Sequence, residues 1–413
     1  MPSPIAPRAT GSGSVSSLPV AVVTPRGGER IRGGHPWVAA AEVLSQPEGA
    51  SDVVRVTDRR GALLGTALRS PASPIPLRMI SRAEVVFDDA LLDGRIAAAA
   101  ERRRPLVEAG FDAYRLVHGE ADLLPGLFID RYADVAVVQT ACAPMDAREQ
   151  RIAALLRARF GFRLVAFRDD GGARDFESLS RKKGILEGGG DTRVAFHDAG
   201  SSVLADVLTD GKTGSFLDQQ ENHARAGEYA RLLSPGATAL DAFAYHGGFA
   251  LALARARSDI QVTAFDENPA AVERIQKNAE LSNVSLSAVC DNAFDVLRRF
   301  ESEDRRFDLV VIDPPALAKR KSAIPAAERA YKELNLRALR ILRPGGILVT
   351  CSCSGKLTPD RFAAVVGDAA RDVGRPIQVL ERRGAGRDHP PLLGVPETEY
   401  LKCWILRVVD EGR

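Results

Sequence analysis

The sequence is short of cysteine, of net charge and of long apolar runs, and each shortage excludes something. Five cysteines in 413 residues, scattered at 142, 290, 351, 353 and 403, form no paired framework. A disulfide-stapled fold is therefore excluded and a reducing, cytoplasmic compartment is expected. No apolar run approaches the ~20 residues that span a bilayer, so a membrane is not expected as a partner. The formal net charge is only +2. A nucleic-acid partner must then be held by local basic patches rather than by overall charge. The first 20 residues, MPSPIAPRATGSGSVSSLPV, lack an apolar h-region and a basic n-region. Residues 1–17 read as a disordered tail and not as a signal peptide.

What is there organises into three regions, in keeping with ~100–200 residues per domain. The first spans 18–83 and is β-rich, with VVRVTD (53–58) and ALLGTAL (62–68) meeting at a DRRG turn. Nine arginines face five acidic residues between Thr24 and Arg82, so this module is locally basic. RIRGGHPWV (30–38) has two readings. It is a turn with a core tryptophan, or a basic, aromatic surface for RNA built on Arg30, Arg32, His35 and Trp37.

The second region, 84–207, mixes helical periodicity at 88–109 and 146–161 with strand-like runs at 126–141 and 164–170. It has no phosphate-binding loop. The third, 208–413, alternates regularly: strands at 237–245, 260–266, 285–291, 307–313 and 345–352, each followed by a helix. That alternation predicts a parallel, doubly wound α/β sheet. Two last strands, 376–382 and 399–409, are joined by a loop too short for a crossover helix and are expected to pair antiparallel.

Ligands of such sheets bind at the carboxyl ends of the strands. The first strand ends LDAFAYHGGFALA, where a glycine pair lets backbone approach a ligand. No G-x-G-x-x-G and no Walker lysine is present, which disfavours a dinucleotide or ATP. The second strand ends in Asp266, 25 residues after Asp241, where a carboxylate can accept both hydroxyls of a ribose. The third ends at Asp291-Asn292 and the fourth at Asp313 in DPPA. Any one acid is an ordinary turn or cap residue; four in register point to a nucleoside ligand.

These segments resemble the S-adenosylmethionine sites of class I methyltransferases. With GHPWV (34–38), RSPASPI (69–75), YRLVHGEADLLPGLFIDRYAD (114–134), DGKTGSFLDQQENHARAGEY (210–229), TCSCSG (350–355) and RDHPPLLGVPETEYLKCWILRV (387–408), the chain resembles the bacterial large-subunit ribosomal RNA cytosine-5 methyltransferases that carry a PUA domain. The likeness covers nearly everything after the tail. It implies a PUA-like module at 18–83, a central α/β domain at 84–207 and a Rossmann-like methyltransferase domain at 208–413. By position it implies S-adenosyl-L-methionine as cofactor, with Asp241, Phe243, Tyr245 and Gly247 along its methionine and ribose, Asp266 on the ribose hydroxyls, and Asp291 with Asn292 on the adenine. Lys212, Thr213, Gly214, Phe216 and Gln219 would lie over cofactor and substrate, with Arg225 in the same segment. Large-subunit ribosomal RNA or its precursor is the implied partner, and a homodimer is left open.

Cytosine C5 is a poor nucleophile until a thiolate adds to C6, so this chemistry needs an activated cysteine. Cys353 matches the family's nucleophile. Asp313 would fix the base by hydrogen bonding and also face the cofactor, with Pro314 and Pro315 beside the substrate. Many relatives have a further cysteine just after the aspartate-proline segment; here that position is Ala316. Cys351 and Cys353 point the same way along an extended chain, so direction does not choose between them. Competing readings of the pair are a half zinc site, a redox pair or two inert core residues; no metal is expected. His246 is expected to line the pocket and His389 to position the loop before the last strand, and neither is assigned as the base. Two other functions stay open: a methyltransferase for another RNA base or nitrogen, needing no thiol, and a non-catalytic RNA-binding or ribosome-assembly protein.

Overall fold

The computed structural model describes residues 18–318 and 320–410. The expected tail at 1–17 lies outside them. The N-terminal part is a six-stranded sheet drawn from strands between Val20 and Ser81. The β-branched run Val53–Thr57 pairs antiparallel with Leu63–Arg69. The turn between them is closed by Asp58, whose Oδ1 accepts the Arg60 and Ala62 N–H groups at 2.9 and 3.0 Å. Gly65 permits the next pairing, because a Cβ there would sit 2.0 Å from the Ser81 carbonyl oxygen. The sequence reading missed a helix, Pro25–Arg32, which begins on a proline and is capped by the Thr24 hydroxyl.

The central part is a five-stranded sheet in the order Lys182–Gly188, Leu164–Asp169, Val135–Thr140, Leu127–Tyr132, Ala113–His118. Helices Asp89–Glu108 and Glu149–Phe160 bury Leu92, Ile96, Ile152 and Leu156 against Leu116, Ile129 and Val138. The helix expected over 146–161 is two, Ala143–Asp146 and Glu149–Phe160, the second ending on left-handed Gly161. A hairpin, Arg193–Asp198 with Ser201–Asp206, was not anticipated. Its inward residues Phe196 and Val203 share a core with Tyr132 of the central sheet and with Leu251 and Ala279 of the C-terminal part.

The C-terminal sheet has seven strands in the order Ser287–Cys290, Gln261–Asp266, Thr238–Ala242, Phe307–Ile312, Leu342–Ser352, Lys402–Val408, Ile377–Arg383. The first five are parallel, and Lys402–Val408 runs antiparallel to both of its neighbours. This is the α/β architecture expected, with the last strand inserted beside the fifth. Helices cover both faces: Ile324–Arg340 and Pro359–Val373 bury Tyr331 and Phe362 on one side, and Gly248–Ala256 buries Phe249 and Leu253 on the other. No helix among the described residues is long and apolar enough to cross a membrane.

Candidate functional site

A cavity opens at the carboxyl ends of the parallel strands. It is lined by Phe243, Tyr245, Asp266, Asp291, Asp313, Pro314, Pro315 and Cys353, and by Lys212, Phe216 and Gln219 from the segment ahead of the sheet. With His246, which also lines it as expected, twelve of the residues singled out from sequence share one cavity.

The loop after Thr238–Ala242 is held in an uncommon backbone conformation. Phe243, Tyr245 and Gly247 have φ of +68°, +49° and +88°. A non-glycine residue in this region costs on the order of 1 kcal/mol and persists only where its surroundings enforce it. They do so here. Asp266 Oδ2 accepts the Tyr245 N–H at 2.9 Å, and the Tyr245 hydroxyl accepts the Gly211 N–H at 2.8 Å. The Phe216 ring meets Tyr245 edge-on at 4.9 Å, and Lys212 Nζ stands 4.2 Å over Phe216. The other Asp266 oxygen accepts the Asn268 N–H at 2.9 Å. Each oxygen still has a lone pair for a ligand hydroxyl.

Asp313 follows Phe307–Ile312 and accepts a 2.9 Å hydrogen bond on Oδ2 from Gln219 Nε2, whose Oε1 is in turn bonded by Asn222. Burial pushes the Asp313 carboxyl up to about 6. Cys353 follows Leu342–Ser352, with Sγ 3.9 Å from the Pro314 carbonyl oxygen. Burial, then the Asp313 carboxylate, push its thiol up to about 11, with Lys212 opposing. Lys402, buried at the start of the antiparallel strand, donates to the Ser354 and Tyr400 carbonyls at 2.9 and 2.8 Å and so pins the turn after the thiol. Cys351 is fully buried opposite Cys403, in a separate hydrophobic cluster.

Other singled-out residues stand elsewhere. Asp241 is buried behind the cavity, its Oδ2 accepting the Ala250 N–H at 2.9 Å and its Oδ1 without a partner. Burial pushes it up to about 7. Gly247 lies against Ile275. Asn292 caps the helix Ala293–Ser302 through the Phe294 N–H. Thr213 is buried, bonded to Asp130 and Tyr132 of the central sheet. Arg225 pairs with Glu381 and Glu228. On the helix Pro25–Arg32, Arg30 bonds Glu42 and His35, and Arg32 bonds Asp58. Trp37 donates its Nε1–H to Glu120 at 2.8 Å and lines a second cavity.

The sequence reading also missed several lining residues. His223, on the helix Gln220–Arg231, bonds Asp198 at 2.8 Å through Nδ1 and lies where a Cβ on Gly248 would be, 2.2 Å from its Cε1. Burial pulls its pKa down, but Asp198 outweighs this and the net shift is upward. Asp218, buried, is held well below the usual carboxylate range: burial opposes ionisation, and Lys212, 2.9 Å away, overrides it. An arrangement of carboxylates and aromatic rings around a pocket fits a cationic sulfonium with a ribose and an adenine. The unpartnered oxygen of Asp241 adds buried acceptor capacity behind it.

Known proteins resemble both ends of the chain. Residues 21–82 match the model of a PUA-like domain and residues 233–377 that of a methyltransferase domain. A ribosomal RNA large subunit methyltransferase I from Pseudoalteromonas atlantica is 34% identical over 384 residues, covering 91% of this chain and 95% of the relative. The chain belongs to the ribosomal RNA large subunit methyltransferase I family. A second member, from Klebsiella pneumoniae, is 33% identical over 91% of this chain and 94% of its own length. The fold recurs in a methyltransferase structure complexed with SAH, with TM-score 0.81 and 19% identity over 94% of this chain and all of the other. It recurs too in a Streptococcus mutans structure described as a SAM-dependent methyltransferase, at TM-score 0.78 and 18% identity, over 94% of this chain and 100% of that one. As a member of the methyltransferase I family the chain is a methyltransferase, with S-adenosylmethionine as cofactor. In this member the sheet's carboxyl edge carries the cavity just described, between Asp266 on one side and Cys353 on the other.

Proposed function

We propose that this protein methylates C5 of one cytosine in large-subunit ribosomal RNA in the cytoplasm, through a covalent bond between Cys353 Sγ and C6 of the base. The observation that carries the reading is the sharing of one cavity by Cys353, Asp313 and the strand-end acid Asp266. A nitrogen target needs no thiol there. The names of the relatives supply the RNA class. The PUA-like sheet supplies a second surface for structured RNA. The division into 18–83, 84–207 and 208–413 belongs to the same reading, and no step in it needs a second copy of the chain.

S-adenosylmethionine, when bound, supplies an electrophilic methyl group. Asp266 would hold its ribose, Phe243, Tyr245 and Phe216 its apolar surfaces, and Asp291 its adenine end. Asp313 and Gln219 would orient the pyrimidine through its polar edge. The Cys353 thiol is protonated at neutral pH in the free protein, since its pKa stands near 11. Its proton must therefore pass to N3 of the base as the S–C6 bond forms, which makes C5 nucleophilic. Loss of the C5 proton to solvent after methylation then expels the sulfur, which takes back the N3 proton and is a thiol again. The Lys402 tether on Ser354 keeps Sγ turned toward the Pro314 loop. Mass-spectrometric mapping of 5-methylcytosine in ribosomal RNA from a deletion strain tests the reading. Loss of one site supports it, and an unchanged map sinks it.

A further inference from the structure

A second cavity, of about 330 Å³, adjoins the first. Lys212, Ser215 and Asp218 line both, so the Lys212–Asp218 ion pair forms the partition. Its walls come from all three parts of the chain: Trp37 from the N-terminal sheet, His118 and Phe128 from the central sheet, and His389 and Tyr400 from the loop before the last strand. Three aromatic rings and two imidazoles thus line one space.

The walls are firmly set. Trp37 is fixed by its bond to Glu120. His118 meets Phe128 edge-on at 5.7 Å and His389 at 5.2 Å. The loop is tied to the central part by the Arg115 N–H of the sheet on Asp388 Oδ2 and by Arg103 of the helix Asp89–Glu108 on the Asp388 carbonyl, both at 2.8 Å. Arg115 is spent on Asp130. Burial, then Arg115, hold the His118 pKa down at about 2, so its ring is neutral. The space is therefore lined by aromatic and imidazole rings and offers little free positive charge. Exposed Glu397 lines it with a carboxylate. That composition does not suit a phosphate. It suits a nucleobase: rings stack on its faces, and a carboxylate accepts from an exocyclic amino group.

The position gives the register. An enzyme that works on C5 must take its base out of the stack and into the catalytic pocket. The adjoining nucleotide then lies one step along the strand, across the partition. Resting on the proposed RNA substrate, we propose that the second cavity holds an unpaired, amino-bearing base immediately flanking the target cytosine. It would set sequence context at the one position the catalytic pocket does not reach.

The test uses the full-length protein, the Ala121→Trp and Glu397→Ala variants, and large-subunit ribosomal RNA from a deletion strain. Ala121 lines only the second cavity, so an indole there adds bulk to its wall. Ala121→Trp should bind S-adenosylmethionine as the parent does by calorimetry, while kcat/KM for the RNA falls about ten-fold through KM, the scale of one lost base–aromatic stack. Glu397→Ala, an exposed substitution, should cost at least about ten-fold, the scale of one hydrogen bond to a charged group. With an oligonucleotide spanning the mapped site, an abasic flanking nucleotide should cost the parent the same ten-fold and Ala121→Trp little more. Normal methyl transfer by both variants overturns the subsite and leaves the proposed function standing. So does an abasic flank on either side without effect. A parent protein that binds cofactor but transfers no methyl to the RNA overturns the substrate reading, and the subsite with it.

Discussion

The Sγ of Cys353 lies 3.9 Å from the Pro314 carbonyl oxygen, so the thiol that follows one central strand faces the loop that follows its neighbour. Asp313 opens that loop, and Gln219 reaches it from the segment before the sheet. Three stretches far apart in sequence thus meet around one sulfur.

Cys353→Ala is expected to abolish methyl transfer and trapping by 5-fluorocytidine-substituted RNA. Cys351→Ala should retain both, because Cys351 is fully buried against Cys403. It should instead lower thermal stability by roughly 1 kcal/mol, a small-cavity cost. Gel-shifted RNA–protein adducts read the first outcome, and adduct formation by Cys353→Ala would show the wrong sulfur was chosen.

Cofactor affinity should depend on pH in a way that its product does not share. Asp313 and Asp241 are pushed up to about 6 and about 7, chiefly by burial. A positive sulfonium favours their ionised forms, so its binding releases protons. The S-adenosylmethionine Kd should rise as pH falls from 7 towards 5, while the Kd of neutral-sulfur S-adenosylhomocysteine changes less. The sign for stability is opposite to the usual carboxylate case. Folded-state values above the ordinary 3.8 mean that these groups' contribution is present at low pH and is lost as pH rises through 4 to 7. Calorimetry across pH with both ligands measures the ratio, and a ratio independent of pH would refute the assignment.

Gln219→Met removes the hydrogen bond that stabilises the Asp313 carboxylate. The acid limb of the kcat/KM profile should move upward by about one pH unit, the scale of one hydrogen bond of about 1.4 kcal/mol. A profile that only drops in height, with no shift, would assign Gln219 a purely structural part.

Gly248→Ala places a methyl 2.2 Å from His223 Cε1, and that ring is held by Asp198. Overpacking of this kind costs about 1–3 kcal/mol. The thermal midpoint should fall and S-adenosylmethionine binding weaken, since both residues line the cavity. The double variant with His223→Ala should recover part of the loss.

The alternation of the C-terminal strands and helices was legible because β-branched runs, glycine turns and helical periodicity act within a few residues. Runs such as FDLVVID announce a buried parallel strand wherever they stand. The strand Lys182–Gly188 was not legible: as KKGILEG on a sheet edge, it buries too little to show alternation. Nor was the helix Gln220–Arg231, whose buried face is largely polar or small, with Asn222, His223, Ala226 and Gly227. It carries a lining histidine that no motif signalled.

By itself the sequence determined the parallel sheet and which acids and which cysteine pair lie near its strands' carboxyl ends. Only the tertiary structure decided which of them face the cavity. Asp241 turns to the Ala250 N–H, Asn292 to its own helix, and Thr213 to Asp130, 83 residues away. The two cysteines part in the same way: the strand ends at Ser352, so Cys351 stays buried within it while Cys353 lies beyond it and lines the cavity. Local sterics and hydrophobic periodicity are written along the chain. Burial and hydrogen-bond partners come from segments that meet only when the parts have packed.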